Sequence, residues 1–162
     1  MPQMLTPQLV MYEDEVRRIQ AVADRLQLDS RSRAVLVVDK NGQMIAASGS
    51  AADLDTTSLS SLVAGNVAAT GGIAKLIEED EFTGQFHEGK GISVHITIVG
   101  RRMILVVLFD KNTTHGLVRL RVKKAGTELE SILEDVAKKA QTPQASVFAE
   151  ITDADIDNLF ND

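Results

Sequence analysis

Met103 to Phe109 is a run of seven apolar side chains, which has no polar face to leave in water and is far too short to cross a membrane as a helix. It is expected to be a strand covered on both sides, and therefore to lie at the centre of a sheet held between helical layers. The residues around it supply the rest of such a sheet. Ala34 to Asp39 is rich in valine, and Asn41-Gly42 precedes a short apolar segment, Met44 to Ala47, which is the signature of a hairpin. Gln85 to Glu88 is a short strand candidate. Gly89-Lys90-Gly91 turns it into Ile92 to Val99, where Ile92, Val94, Ile96 and Ile98 alternate with other residues, and Gly100-Arg101-Arg102 makes the turn into the apolar run.

Three stretches have helical spacing instead. Val16, Ile19, Val22, Ala23 and Leu26 recur at three- and four-residue steps and put one apolar stripe on a first helix. A second helical pattern starts behind the capping side chains of Asp53 to Thr57 and stops in the acidic cluster Glu78 to Glu81. A third, from Leu117 to Lys139, places Val118, Val122, Ala125, Leu129, Ile132, Leu133 and Val136 on one side; Leu117 to Val122 alternates well enough to be strand, and helix is the preferred reading. The expected fold is α+β in the order α-β-β-α-β-β-β-α, with short turns that make its five-stranded sheet mostly antiparallel. One domain over residues 1–140 accounts for all of it. Gln141 to Ser146 reads as a linker to a flexible acidic tail, 141–162, in which Thr152 caps a short helix carrying Ile156, Leu159 and Phe160 on one side.

The second helix is the anomaly. Its core stripe is expected to be Leu59, Leu62, Val63, Asn66, Thr70, Ile73 and Ile77. The opposite face then carries Thr57, Ser61, Ala64, Ala68, Gly71 and Gly72 and no charge until Lys75, whereas a helix facing solvent normally presents Lys, Glu and Arg. Glycine within a helix costs about 0.5 to 1 kcal/mol against alanine, so Gly65, Gly71 and Gly72 weaken it. Small residues make sense where another backbone approaches closely. The cover is the same element of an identical subunit, another part of this chain, or a different partner; an uncharged patch marks contact without naming it.

The run DTTSLSSLVAGNVAATGGIAKLI, followed by QFHEG and GLVRLRVKKA, resembles the gliding-motility branch of the bacterial Roadblock family, and the likeness extends from LVMYEDEV to DADIDNLF. The resemblance implies a homodimer whose third strands pair across a two-fold axis, with both second helices on one face and a Ras-like small GTPase docked there. By the same resemblance Ala64, Ala68 and Gly72 carry the contact, with Thr57, Ser61 and Gly71 beside them. The protein would then be no enzyme itself, but would hold the GTPase's own catalytic groups in place. It also implies a cytoplasmic protein concentrated at a cell pole. A scaffold that binds without accelerating hydrolysis is the alternative, and a small-ligand sensor with a concave apolar pocket is the third reading.

Charge and motifs exclude other classes. Of the net charge of -6, five negative charges (Glu150, Asp153, Asp155, Asp157 and Asp162) follow Lys139 with no Lys or Arg, so the body is nearly neutral and nonspecific nucleic-acid binding is not expected. The basic stretch Arg119, Arg121, Lys123, Lys124 reads as a solvated helix face. The acidic tail is either a second GTPase contact favouring nucleotide exchange or a solubilising terminus. The start of the chain has no secretory-signal pattern, and zero cysteines fit a reducing compartment. No cofactor or metal is expected. Gly84 to Lys90 mimics a phosphate loop, but Gly91 stands where Ser or Thr must hold magnesium. Asp153, Asp155 and Asp157 mimic a calcium loop without its glycine or closing glutamate. His87, His95 and His115 lie on separate elements without ligand spacing, and are expected to be hydrogen-bonded or exposed. Ser58, Ser60 and Ser61 lack the strained turn that presents a nucleophile, and Arg101 and Arg102 read as solvated turn residues.

Overall fold

Met103–Phe109 takes the position its composition demands. All seven residues are buried, and the strand they form is the middle one of five. The computed structural model describes the backbone of residues 11–150 and the side chains of residues 11–140. Along the chain run α1 (Glu13–Ser30), β1 (Ala34–Asp39), β2 (Met44–Gly49), a 3-10 turn (Ser50–Asp53), α2 (Thr56–Leu76), β3 (Gly84–His87), β4 (Ser93–Val99), β5 (Met103–Phe109) and α3 (His115–Glu150). The sheet order is β2-β1-β5-β4-β3, and every neighbouring pair is antiparallel.

The two-residue period of the strands sends alternate side chains into two separate cores. Val35, Val37, Met103, Leu105 and Val107 point to one side, where α1 and α3 cover them with Ile19, Val22, Leu26, Val122, Leu129 and Ile132. Leu36, Val38, Ile96, Ile104 and Val106 point to the other, where α2 alone supplies Val63 and Val67. Among the described residues, two helices therefore seal one face of the sheet and a single helix lies over the other. Leu117 to Val122, where strand and helix competed, belongs to α3. That helix also runs on through the stretch read as a linker, to Glu150; the tail residues Ile156, Leu159 and Phe160 lie outside the described residues.

The turns explain the registers. Asp39 accepts hydrogen bonds from the amides of Asn41 and Gln43, each at 2.9 Å, and Gly42 adopts φ +91°. A bend with one left-handed glycine adds a residue to the strand, and the β1–β2 register shifts accordingly between Val37 and Val38. Gly100 and Arg101 both have positive φ, the primed hairpin form that matches strand twist. Gly49 is the most demanding position: its φ is +76°, and a Cβ there would stand 2.3 Å from the backbone oxygen of Arg33. Gly49→Ala should cost about 2 to 4 kcal/mol, combining backbone strain with a clash that no side-chain rotation relieves. Thermal melts should show that loss, and Gly91→Ala, with open space around it, should melt like the parent.

Candidate functional site

Asp55 starts α2. Its carboxylate accepts the Ser58 hydroxyl at 2.6 Å and the Ser58 amide at 3.1 Å, and these two bonds hold its pKa below the usual carboxylate value. The helix carries a single charge, Lys75, and ends where Glu78 turns into the left-handed region. Between those ends, Ser60, Val63, Val67 and Ala74 are the buried residues.

The expected core stripe is thereby corrected. Val63 faces the sheet, and Leu59, Asn66 and Thr70 are half-buried, but Leu62, Ile73 and Ile77 point outward at 72%, 53% and 63% exposure, and Leu76 joins them at 86%. The physical reason is that α2 is apolar nearly all round, so hydrophobic period does not select one face. Small and β-branched residues at 60, 63, 67 and 74 let the helix lie close to the valines and isoleucines of the sheet, which turns the bulkier leucines outward.

Thr57, Ser61, Ala68 and Gly72 are exposed and share one side of α2. Ala64 and Gly71 are half-buried: Ala64 packs against the sheet core and lies beside Gly42, so it belongs to the junction of helix and sheet and not to the open surface. Next to the exposed small residues run Leu62, Ala69, Ile73 and Leu76 at helical spacing. The outward surface is thus a strip of small residues flanked by large apolar ones, without an ionic group before Lys75. Soluble proteins seldom leave so continuous an apolar strip uncovered.

Beside this helix lies the edge of the sheet. β3 has four residues and, among the described residues, a single hydrogen-bonded neighbour, β4, and Gln85 ties it to α2 through a 2.7 Å bond to the Thr70 hydroxyl. Phe86 is partly exposed on the other face of that strand. The same neighbourhood holds two histidines that the sequence separates by twenty positions: His95 and His115 hydrogen-bond to each other, whereas His87 is exposed and falls on the opposite face of the sheet by register.

Ser60 is buried beneath α2, Ser58 is engaged by Asp55, and Ser61 has no histidine on its helix to activate it. Gly84 to Lys90, the phosphate-loop mimic, forms β3 and the turn after it. Arg101 and Arg102 sit exposed in the β4–β5 turn. Among the described residues no group of three or more His, Asp or Glu is arranged to hold a metal, and no helix is long and apolar enough to cross a membrane. A cavity between α1 and α3, lined by Val22, Leu26, Arg121 and Ala125 among others, encloses about 20 Å³, room for about one water and not for an organic ligand.

The model of the Roadblock/LC7 domain matches residues 18–109. Comparison with curated proteins finds no significant match. Among solved structures, MglB of Myxococcus xanthus is similar at 57% identity, covering 78% of this chain and 96% of that one with a TM-score of 0.75. The gliding protein MglB of Thermus thermophilus is similar at 30% identity, covering 80% and 98% with a TM-score of 0.74. A structure described as MglB with a tetrameric arrangement is 29% identical, covers 80% and 98%, and has a TM-score of 0.75.

Proposed function

The chain belongs to the Roadblock/LC7 family, and from that footing we propose that it is a non-enzymatic activator of a Ras-like small GTPase of the MglA type, serving cell polarity or gliding motility. The observation that carries the proposal is the exposed, uncharged strip of α2, which is built for close contact with another protein. The similarity to MglB structures supports the choice of partner. In this reading two copies pair through the open edge of β3 into one continuous sheet, which sets their α2 helices side by side as a platform. The GTPase docks on Thr57, Ser61, Ala68 and Gly72, with Ala64 and Gly71 shaping the helix beneath. The protein is cytoplasmic and concentrated at a cell pole.

No side chain on that strip can complete a phosphoryl-transfer site, so activation arises from holding the GTPase's own groups in place. A thousand-fold acceleration needs only about 4 kcal/mol of preferential binding to the transition state, within reach of a well-packed protein surface. Measuring GTP turnover by the cognate GTPase with and without this protein tests the proposal. Binding without acceleration would leave a scaffold in its place, since the same surface serves either role.

The tail is proposed as a second contact, because Ile156, Leu159 and Phe160 form a stripe on an acidic background that suits a partner's groove. Removal of residues 151–162 should leave dimer mass and GTP turnover nearly unchanged, while nucleotide exchange, followed with a fluorescent GDP analogue, slows several-fold. An unchanged exchange rate would reduce the tail to a solubilising terminus.

A further inference from the structure

His95 on β4 and His115, the first residue of α3, come together on the α1/α3 side of the sheet. Nδ1 of His95 lies 3.1 Å from Nε2 of His115, and Nε2 of His95 lies 2.7 Å from the Thr97 hydroxyl oxygen. His95 is 7% exposed and His115 is half-buried. The ring centroids are 5.3 Å apart, so about 2.2 Å remains after the 3.1 Å between nitrogens, the length of two ring radii. The nitrogens therefore point at each other along the line of centres. That is the geometry of one shared proton; two lone pairs converging on a metal would require splayed rings.

Phe86 of β3 stacks on His115 at 3.9 Å and 15°, and Phe109 of β5 completes the aromatic wall. Through this stack the first turn of α3 holds β3, the strand with one neighbour, to the body of the protein. The charges around the pair are one-sided. β3 and β5 contribute phenylalanines, β4 contributes Thr97, and α3 contributes Arg119 one turn further on; besides the rings themselves, Arg119 is the one charged group that acts on them among the described residues.

We propose that His95 and His115 form an acid-sensitive latch that fastens the β3 edge of the sheet to the N-terminus of α3. The line between the nitrogens accommodates one proton. A further proton can settle on whichever outer nitrogen is bare, Nδ1 of His115 or Nε2 of His95, with that line intact, although it adds a cation beside Arg119. A second further proton makes both rings cations and sets N–H against N–H, which breaks the pair. Burial, the neighbouring His115 ring and Arg119 push the pKa of His95 down from 6.5 to about 4, and burial and Arg119 lower that of His115. Both groups have folded pKa values below their unfolded ones, so the folded latch is fully stable above about pH 6.5 and loses stability as pH falls from there.

Proton NMR of the two imidazole rings and amide hydrogen exchange across β3, both followed from pH 7.5 to 4 on the full chain, test the latch. Neither ring should titrate at the ordinary histidine value, and β3 protection factors should fall about thirty-fold between pH 7.5 and pH 5, the factor expected for His95 alone. The double variant His95→Phe, His115→Leu should hold β3 protection constant over the same range. Rings that titrate near 6.5, or β3 protection in the parent that does not change with pH, would overturn the latch. Should the double variant fold poorly, the ring titration and exchange of the unaltered protein decide alone. Light scattering on the same samples keeps the reading of β3 as the pairing edge separate: if β3 opens while the dimer mass persists, the latch stands and the pairing edge is elsewhere.

Discussion

A chain carrying Ser61→Arg and Ala68→Arg should fold and keep its dimer mass, yet bind its GTPase at least a hundred-fold more weakly and no longer accelerate GTP hydrolysis. Both residues are exposed and lie two turns apart on the same side of α2, so neither substitution disturbs the sheet core. At a close-packed contact, two long cations would clash and lose their hydration without a partner, a penalty of about 3 kcal/mol or more, which corresponds to that loss of affinity. Ala64 is unsuitable for the test because it packs against the sheet, and a failure there would mix folding with binding. Leu28→Arg is the matched control: Leu28 is as exposed as Leu62 but lies on α1, across the sheet from α2. Titration calorimetry with light scattering separates the outcomes. If the double variant binds and activates like the parent, α2 is not the docking surface and the proposed function loses its foundation.

The second large effect is one of stability. Lys139→Met should lower the melting temperature at pH 7 by on the order of 10 °C. Glu15 is 1% exposed; Lys139 reaches one of its oxygens at 2.5 Å across the α1–α3 junction, and the other oxygen is buried without a partner among the described residues. The hydrogen bond from Lys139 outweighs burial and holds the Glu15 pKa below its ordinary value. A carboxylate with a lowered folded pKa contributes stability that is present above its unfolded pKa, near 4.5, and is lost as pH falls through the lowered value. Without the lysine, the buried carboxylate loses its hydrogen-bonded partner at neutral pH and keeps the weaker attraction of Arg18, so that it protonates more readily in acid. The deficit should thus shrink as pH approaches 4, and Glu15→Gln together with Lys139→Met should recover much of it at pH 7. A uniform loss at every pH would assign the effect to the aliphatic stem of Lys139 instead. Surface pairs such as Arg17–Glu13 should show nothing comparable, because both partners remain solvated.

These two tests fall on opposite sides of what could be read from the residues in order. That α2 presents an uncharged surface was legible, because it depends only on composition: no Asp or Glu occurs between Thr56 and Leu76. The importance of Glu15 was not, since a glutamate in the first turn of an amphipathic helix normally sits in water. Its partner is 124 residues away, and no local pattern pairs them.

Strand, turn and helix assignments rest on interactions within a few residues, and the order of the elements, the hairpin at Asn41-Gly42, the start of α2 among the capping side chains of Asp53 to Thr57 and the central place of Met103–Phe109 were all legible in the residues in order. An apolar run must be covered on both faces, and a left-handed turn requires a residue such as glycine that tolerates it. The rotation of α2 was set by packing against the sheet, which put Leu62, Ile73 and Ile77 outside and drew Ala64 toward the strands. A helix apolar on several sides has more than one candidate stripe, and the choice falls to the shape of the surface it meets. The His95–His115 hydrogen bond and the Glu15–Lys139 pair were decided at the same level. In each case the distance that matters is measured across the fold, where neither period nor propensity reaches.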